Sequence, residues 1–544
     1  MTASQHNVST SGVPAPRIAA LACFGVAYAC FCLSFEGAWR PWLDLGWVIA
    51  AVAWPLAFWR RDTPSLPALQ QPWWFYALYV AALALFATNW RWSLAGDNLL
   101  WPFEGLKVVA RGPRRSLLHV YGVDNFGYLQ VHLHNLFMYL ISPTLFWHRI
   151  GKITVALLAL AAVYTVFARL VRPAFGLLVA GCTATCSVWL VYTYASVPFL
   201  DGIASGFALL AIGMWISRDP ASVRAWLALG WLSGFMLFLT PNGWLMAVCV
   251  WTWLAAFTIV RRQHVALLVL AVITTVIVGT PMLLQWADGN GLMFTLVAKP
   301  AWTIEKITVF LQQAAVMPVH SKVDNSGAFG PQLPWGFRWL FVVGLVVTPW
   351  FPRSFPGARL VLALFAAHVV LLAFTQGPYE AVSVKRALVL IPLATYFVFL
   401  PFHRFFLRAS RVIPVIAVWA AFGVYDVVAE IKPGRTGYTL LDGVIEAHQR
   451  FAPATICVYM IEDLRAMDLL PGSALDRLYG LSPRIQLVST PDDPACAQFL
   501  CYCTEPRCRS VDLSARGYTE ERMLNTVELR CGRKPSLDEP DAAN

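Results

Sequence analysis

Residues 264–284 read HVALLVLAVITTVIVGTPMLL and contain no Asp, Glu, Lys or Arg. A helix needs about 20 apolar residues to cross a bilayer core about 30 Å thick. The basic pair Arg261-Arg262 stands shortly before this stretch, as expected where a span leaves a membrane surface. The stretch therefore predicts a transmembrane helix.

Comparable apolar stretches recur along most of the chain, and by hydropathy they predict about thirteen spans. Their approximate bounds are 17–35, 42–59, 72–90, 150–170, 174–193, 200–217, 225–240, 242–260, 264–284, 336–352, 357–375, 386–404 and 411–430.

The composition argues against an ordinary soluble protein. Of the 544 residues, 58% are hydrophobic and 13% are charged, whereas soluble domains carry about 25% charged residues. The net charge of +11 would suit nucleic acid in a soluble protein, but here the basic residues cluster in short loops between spans. We therefore expect membrane lipids as partners and no nucleic acid.

Residues 1–16 lack a signal-peptide pattern, so the first apolar stretch is predicted to be a retained span.

Lys and Arg predict the orientation, because cytoplasmic loops carry an excess of them. The N-terminus is then cytoplasmic, and three long segments lie outside: 91–149, 285–336 and the tail from Ile431 onward. This asymmetry predicts that any chemistry takes place on the extracytoplasmic side. The residues that set the alternation are Arg60-Arg61, Arg169 with Arg172, Arg218 with Arg224, Arg261-Arg262, Arg353 with Arg359, and Arg404, Arg408 and Arg411.

The spans divide the chain into three predicted parts: residues 1–71 with two extra spans, a main transmembrane domain at 72–430, and a soluble tail at 431–544. In the first outer segment, Leu99–Arg111 repeats apolar residues at helical spacing, which predicts an amphipathic helix in the membrane interface. Val131–Trp147 predicts a second interfacial helix or, as the alternative, a short span.

The cysteines fall into two groups. Those within predicted spans are expected to be ordinary small apolar residues. The tail holds an even number of them, which outside the cytoplasm predicts disulfides. A zinc site is the alternative, because three of them are closely spaced, but their spacing matches no standard zinc pattern. The tail cysteines are Cys457, Cys496, Cys501, Cys503, Cys508 and Cys531.

Few ionisable residues lie inside the predicted spans, with His368 the main exception and Asp426 near an outer end. Ion-coupled transporters usually carry such groups near the bilayer midplane, so their scarcity counts against transport. Two carboxylates, Asp97 and Asp201, are predicted at the outer boundary. A carboxylate that is partly desolvated there can act as a base. The alternative is a solvated residue at a helix end, with Asp97 as a cap.

Basic residues are also predicted at the outer face, against the usual distribution. Arg114 and Arg115 are expected to anchor the first loop to lipid phosphate. Lys385-Arg386 opens a span at the position of a lipid-linked phosphate. His132 and His134 are two residues apart, which on a helix points them to different faces and argues against joint metal binding.

At these residues the chain resembles the GT-C superfamily of membrane glycosyltransferases, and most closely the branch of protein O-mannosyltransferases and lipid A aminoarabinose transferases. The likeness covers about 73–406. The acidic residue that follows a span in that branch is matched by Asp97, and its first outer loop with interfacial helices by Leu99–Arg111. The Asp that heads a returning span is matched by Asp201 in Tyr194–Asp201. The Gly-rich span pair is matched by Gly230 with Gly234 and Thr240–Gly243, and the late span that opens with Arg by Arg386 with Pro392.

The chain departs from that branch in three places. Asn98 follows Asp97 where many relatives carry a second acid, Asp124–His134 replaces the proline-rich end of the first loop, and two spans precede the matching region. These departures leave the acceptor, and any need for a divalent metal, open.

The resemblance implies an all-α polytopic membrane protein of GT-C type with a small extracytoplasmic α/β tail. It implies inverting transfer of a hexosyl or pentosyl group from a polyprenyl-phosphate donor to a glycolipid, polysaccharide or protein. Asp97 would be the base, and Lys385 or Arg386 would stabilise the departing phosphate. Glu104, Arg111 and Asp201 would bind substrate. The expected location is a bacterial inner membrane, with the site facing the periplasm or exterior.

Two other functions remain open. One is a surface-polysaccharide polymerase or ligase, which uses polyprenyl-diphosphate donors. The other is a transporter or flippase of lipid-linked glycans, which the scarcity of ionisable residues inside the predicted spans disfavours.

The predicted orientation can be tested by labelling single cysteines in a cysteine-free background with a membrane-impermeant reagent. In intact cells we expect labelling at position Ser473 in the tail and none at Thr63, because Arg60-Arg61 marks a cytoplasmic loop. The opposite pattern would reverse the topology and separate the proposed base from its donor.

Overall fold

The structure is a computed structural model, and its described residues cover most of the predicted membrane region and parts of the tail. They are 15–33, 41–58, 69–89, 105, 109, 120–121, 126–194, 200–239, 243–287, 303–320, 332–351, 354–374, 387–426, 456–459, 485–488, 492, 499–503, 512–521 and 529–534.

Helices dominate these residues, and each predicted apolar stretch contains at least one of them. This confirms the mainly helical fold. The helices are α1 Ala15–Leu33, α2 Pro41–Phe58, α3 Trp73–Asn89, α4 Tyr128–Leu140, α5 Leu145–Leu170, α6 Pro173–Ala184, α7 Ser187–Tyr194, α8 Leu200–Arg218, α9 Val223–Met236, α10 Trp244–Arg261, α11 Val265–Ala287, α12 Ile304–Val316, α13 Arg338–Trp350, α14 Ala358–Phe374, α15 Leu390–Phe399 and α16 Ala409–Asp426.

Five of the described helices are long and apolar enough to cross a bilayer by length and composition: α5, α8, α10, α11 and α16. Shorter apolar helices account for most of the other predicted stretches. The predicted number of thirteen spans stays a prediction.

One predicted span, 174–193, is two helices, since α6 ends at Ala184 and α7 begins at Ser187. The N–H of Cys186 donates to the carbonyl of Thr183 over 3.2 Å, an i→i−3 bond of the kind that tightens the last turn of a helix. The Thr185 carbonyl lies against Gly423 of α16, where a Cβ would collide with it. Hydropathy alone does not reveal this break, because the residues on both sides are apolar.

The contacts group the chain into two interleaved units, the first made of 1–70, 114–130 and 205–300. Its core includes Trp47 of α2, whose indole N–H donates to the carbonyl of Val278 in α11 over 2.9 Å. The helices α9 and α11 pack closely. A Cβ on Gly234 of α9 would stand 2.6 Å from the carbonyl oxygen of Thr275, so this position requires glycine. The Gly-rich pair noted in the sequence thus serves close backbone packing.

The second unit comprises 71–113, 131–204 and 301–544. Its helices α13 and α15 meet at Gly344, where a Cβ would collide with the carbonyl oxygen of Phe397. Aromatic rings also pack in this unit: the ring centres of Phe341 and Phe397 are 6.4 Å apart, and those of Phe337 and Trp419 are 4.6 Å apart. The predicted domain bounds at 71 and 430 stay a prediction.

A two-stranded ribbon joins β1 Val120–Tyr121 to β2 Phe126–Gly127, and the tail contains the strands β3 Ile456–Tyr459, β4 Ile485–Val488, β5 Phe499–Cys503, β6 Thr519–Glu521 and β7 Leu529–Arg533. The tail strands form one sheet of mixed direction, in the order β4-β3-β5-β7-β6. The central strand β3 pairs in parallel with β4 and β5, while β7 runs antiparallel to β5 and β6. A sheet is thus present in the tail, while its α/β type stays a prediction because the stretches between the parallel strands lie largely outside the described residues.

Cysteines in the membrane helices and in the tail differ in state. Cys23, Cys182, Cys186 and Cys249 are free thiols in the helices. In the sheet, Cys457 and Cys531 are buried, and each takes part in a disulfide. Oxidation of the full set of six tail cysteines stays a prediction.

We expect non-reducing peptide mapping to find at least two bridges among the six tail cysteines. Reduction should lower the stability of the tail by about 2–5 kcal/mol per bridge, as in small secreted domains. Reducing agent should leave the helical membrane region unchanged, because the described cysteines there are free thiols. Six free thiols, or stoichiometric zinc in the purified protein, would contradict this prediction.

Candidate functional site

Of the six residues predicted to form the site, the structure describes only Asp201. It lies in the first turn of α8 and is 3% exposed. A carboxylate there is favoured by the positive end of the helix dipole. Its burial contradicts the solvated helix-end alternative for this residue. The other five, Asp97, Glu104, Arg111, Lys385 and Arg386, lie outside the described residues.

The predicted interfacial helix of the first outer segment is described at two positions, Gly105 and Val109, and both are helical. Gly105 is buried against α4: a Cβ there would stand 2.6 Å from the side-chain Cγ of Asn135. The absence of a side chain thus lets the first outer segment lie directly on Asn135.

The helices α4 and α5 form a hairpin that brings polar side chains together. His148 of α5 bonds through Nδ1 to the Oδ1 of Asn135 in α4 over 2.7 Å, and both side chains are fully buried. The backbone carbonyl of His134 lies against Gly151, where a Cβ would collide with it. These two contacts fix the register of α4 on α5.

Further polar residues surround this hydrogen bond. His134 is 1% exposed, Arg149 5% and Lys152 4%. His134, Arg149 and Lys152 are all within electrostatic range of His148. We call Asn135, His148 and Lys152, with His134 and Arg149 beside them, the hairpin cluster.

The hairpin cluster was not predicted from the sequence. Hydropathy predicts that the span begins at 150, which leaves His148 and Arg149 in the loop, whereas α5 begins at Leu145. One signal was available: Gln130 with His134, and His148 with Lys152, are each four residues apart and therefore share a helix face. Two polar pairs on facing helices next to apolar sequence indicate a buried polar site.

The electrostatics of the cluster follow from burial. Burial lowers the pKa of His134 to about 3, with a smaller contribution from the positive charge of Lys152, so this imidazole is neutral near neutral pH. The Nε2 atom of His148 is buried and has no hydrogen-bond partner among the described residues.

His132 and His134 do not share an environment, since the former is half-buried and the latter fully buried. This agrees with their predicted orientation on different helix faces. No group of three or more metal-ligating side chains lies within the part of the chain that the structure describes.

A second polar group surrounds the start of α15. The thiol of Cys186 donates to the backbone carbonyl of Gln332, whose side-chain amide donates to the carbonyl of Ala387 over 2.9 Å. Arg338 and Asp426 lie within electrostatic range of Cys186. Ala387 directly follows Arg386 in the sequence, so Gln332 fixes the backbone where the predicted phosphate-binding pair leads into the core.

His368, the ionisable residue singled out inside a span, has a structural explanation. It is fully buried in α14, and its Nδ1–H donates to the carbonyl of Leu364 over 2.8 Å. This bond lies within one helix turn and involves neither the hairpin cluster nor the polar group around Gln332.

Comparison with known proteins relates the fold of this chain to that of a solved enzyme. No family model and no curated protein matches the sequence. The apo crystal structure of ArnT from Cupriavidus metallidurans, a GT-C lipid A aminoarabinose transferase, aligns over 84% of this chain and 97% of its own, with 14% identity and a TM-score of 0.50. The chain has a GT-C fold. The ArnT structure bound to undecaprenyl phosphate aligns over the same shares, with 14% identity and a TM-score of 0.49.

The likeness to ArnT confirms the predicted resemblance at the level of the fold. The match extends over 84% of the chain, more than the region about 73–406 on which the sequence resemblance was based. The GT-C fold is therefore present despite an identity of only 14%.

We expect the His148–Asn135 bond to contribute measurably to stability. Asn135→Ala leaves Nδ1 of a buried imidazole without its partner and should lower the free energy of unfolding by about 1–3 kcal/mol. The double variant Asn135→Leu with His148→Phe removes both polar groups together. Its loss in the free energy of unfolding should therefore be smaller than the sum of the losses in the single variants Asn135→Leu and His148→Phe.

Denaturant unfolding of the purified protein measures these effects. Gln312→Ala is the matched control, because Gln312 is an exposed helical amide and its removal should change stability by less than about 0.5 kcal/mol. Additive losses in the double variant would show that the two side chains are not coupled.

Proposed function

We propose that this chain is a glycosyltransferase that moves a sugar from a polyprenyl-phosphate donor to an acceptor at the outer face of a bacterial inner membrane. The observation that carries the proposal is the GT-C fold shared with ArnT over 84% of the chain. The long predicted outer segments support the location of the reaction, since the predicted cytoplasmic loops are all short.

In the proposed reaction, the hydroxyl oxygen of the acceptor attacks the anomeric carbon of the sugar. The bond from that carbon to the phosphate oxygen breaks, and the polyprenyl phosphate leaves with the bonding electron pair. The hydroxyl proton passes to the carboxylate of Asp97. Attack opposite the leaving group inverts the anomeric configuration, and the transferred group is a hexose or a pentose.

Lys385 and Arg386 have the charge to stabilise the departing phosphate. Support comes from Ala387, the next residue, whose carbonyl is bound by the buried side chain of Gln332. A fixed backbone at this point limits the freedom of the preceding pair, and preorganised charge is more effective than mobile charge.

Asp201, Glu104 and Arg111 are proposed to orient sugar or acceptor. For Asp201 the support is its burial in the first turn of α8. For Glu104 and Arg111 it is the packing of Gly105 on Asn135, which ties their segment to the hairpin cluster. The acceptor is a glycolipid, a polysaccharide or a protein, and the tail is proposed to contact it.

Incubation with labelled sugars on two carriers tests the donor. We expect the purified protein to release polyprenyl phosphate and to label an acceptor from a cell-envelope extract with polyprenyl-phosphate sugars. Use of polyprenyl-diphosphate sugars alone would instead indicate a polymerase or ligase. Movement of the intact donor across a vesicle membrane without transfer would indicate a flippase.

Asp97→Asn tests the base, because it keeps the shape of the side chain and removes its basicity. A positioned base contributes about 10²–10⁴-fold in rate, so nearly all transfer should be lost while expression and donor binding stay close to normal. Glu305→Gln is the control: it removes an exposed carboxylate from α12 and should leave transfer unchanged.

Lys385→Ala and Arg386→Ala should behave differently from Asp97→Asn. Each should weaken donor binding as well as turnover, because each would hold the phosphate before the reaction begins. If Asp97→Asn retains more than about a tenth of the wild-type rate, a smaller loss than a base causes, then Asp97 is a helix cap and Asp201 is the next base to test.

A further inference from the structure

The connection between α15 and α16 is a compact turn, and we call residues 402–411 the arginine turn. Within it the N–H of Phe405 donates to the carbonyl of Phe402 over 2.8 Å. Two of its side chains are buried, His403 with 6% and Phe406 with 4% of its surface exposed. These two side chains fix the turn to the ends of the helices, so its other residues project from a defined backbone.

The outer surface of the arginine turn is apolar. Phe402, Phe405 and Leu407 are 48%, 55% and 55% exposed. Trp350 and Phe351 are also exposed at the end of α13, which contacts the 3₁₀ turn that leads into the arginine turn. Large apolar side chains grouped in this way are unfavourable in water and favourable in the membrane interface, where aromatic residues are enriched.

Three exposed arginines stand among these apolar side chains: Arg404, Arg408 and Arg411. The guanidinium of Arg411 donates to the carbonyl of Phe405 over 3.2 Å and lies 5.1 Å from the centre of its ring. The side chains of Arg404 and Arg408 make no hydrogen bond or ion pair within the part of the chain that the structure describes. Their guanidinium groups are therefore available to a ligand.

The neighbouring segments supply no carboxylate to pair with these arginines. The hydroxyl of Tyr396 in α15 donates to the carbonyl of Pro356 over 2.6 Å, and a Cβ on Gly357 would collide with Leu170 at the end of α5. The connection between α13 and α14 and the end of α5 thus lie at the same end of the unit as the arginine turn. The segments of this region that contain no Asp or Glu are 126–200, 338–379 and 387–425.

This charge distribution selects among the lipids of a bilayer. A guanidinium group matches the oxygens of a phosphodiester, to which it can donate two hydrogen bonds. A zwitterionic lipid also brings an ammonium group, which the arginines repel and for which the neighbouring segments offer no carboxylate. A lipid whose headgroup has a net negative charge meets no such repulsion.

We propose that the arginine turn binds an anionic phospholipid. Arg404 and Arg408 bind its phosphate, while Phe402 and Leu407 contact the upper part of its acyl chains. The turn is predicted to be cytoplasmic, so the lipid belongs to the inner leaflet, where anionic headgroups attract basic segments close to the membrane. The site goes beyond the proposed function, whose residues are predicted at the outer face.

The test compares wild type with the double variant Arg404→Gln with Arg408→Gln, which removes both charges and keeps polar side chains. Arg261→Gln with Arg262→Gln is the matched control, because these are two exposed arginines in another loop that is predicted to be cytoplasmic. Full-length protein in detergent micelles is titrated with phosphatidylglycerol, phosphatidylethanolamine, diacylglycerol and glycerol phosphate. Native mass spectrometry measures the affinity for each, and thermal unfolding gives the midpoint.

We expect wild type to bind phosphatidylglycerol about tenfold or more tightly than phosphatidylethanolamine or diacylglycerol. The glutamine variant of Arg404 and Arg408 should bind phosphatidylglycerol about 10- to 30-fold more weakly, as expected for two charges near an anionic lipid. The control should bind it as wild type does, and a variant with lysine at both positions should retain most of the affinity. Without lipid, the glutamine variant should unfold at the temperature of wild type, because neither arginine side chain bonds to the described residues.

Four results would overturn the proposal. Equal affinities of the glutamine variant and wild type for phosphatidylglycerol would show that the arginines do not bind it. An equal loss in the control would reduce the effect to general surface charge. Binding of phosphatidylethanolamine or glycerol phosphate as tight as that of phosphatidylglycerol would remove the anionic lipid from the assignment. A lower unfolding midpoint of the glutamine variant without lipid would give Arg404 and Arg408 a structural role instead.

The lipid site and the proposed function are decided separately, because the titration contains no sugar donor. If the protein transfers no sugar but binds phosphatidylglycerol through Arg404 and Arg408, the proposed function is wrong and the lipid site stands. If it transfers sugar and the glutamine variant binds phosphatidylglycerol as wild type does, the lipid site is wrong and the proposed function stands.

Discussion

Inside a bilayer, a backbone N–H or C=O group has no water to bond with, so each must find a partner in the protein. Regular helices satisfy this constraint within one segment, which is why the apolar stretches of the sequence coincide with helices. The constraint also explains the behaviour of the chain where a helix stops. Between α6 and α7, the N–H groups of Thr185 and Cys186 donate to the carbonyls of Gly181 and Thr183, and the Cys186 carbonyl accepts from the N–H of Leu190.

Close backbone contacts hold the helices of each unit together. In the first unit, Gly234 of α9 allows the carbonyl of Thr275 to approach, and in the second, Gly344 allows that of Phe397. Such contacts depend on small residues because apolar side chains gain little from leaving lipid for protein. Gly151 follows the same principle, and its contact with His134 places the polar residues of α4 beside those of α5.

The hairpin cluster buries several basic side chains, His134, His148, Arg149 and Lys152, between α4 and α5. Proteins retain such groups at a cost in stability when they serve binding or catalysis. The cluster also lies beside Gly105, next to Glu104 in the sequence and within the first outer segment. The contact of Gly105 with Asn135 links this point of the first outer segment to the α4–α5 hairpin.

The sequence by itself determined the positions of the helices, since hydropathy over about 20 residues reports the solvent that a segment requires. Together with its motifs it also predicted the GT-C fold, which the ArnT likeness confirmed. It did not predict the break at Thr185, the early start of α5 at Leu145 or the partner of His148. Those depend on which residue of another helix faces a given side chain, and hydropathy along one segment contains no such information. Only the tertiary structure decided that His148 meets Asn135 and that Lys152 is buried, because burial and hydrogen bonding arise from packing between helices.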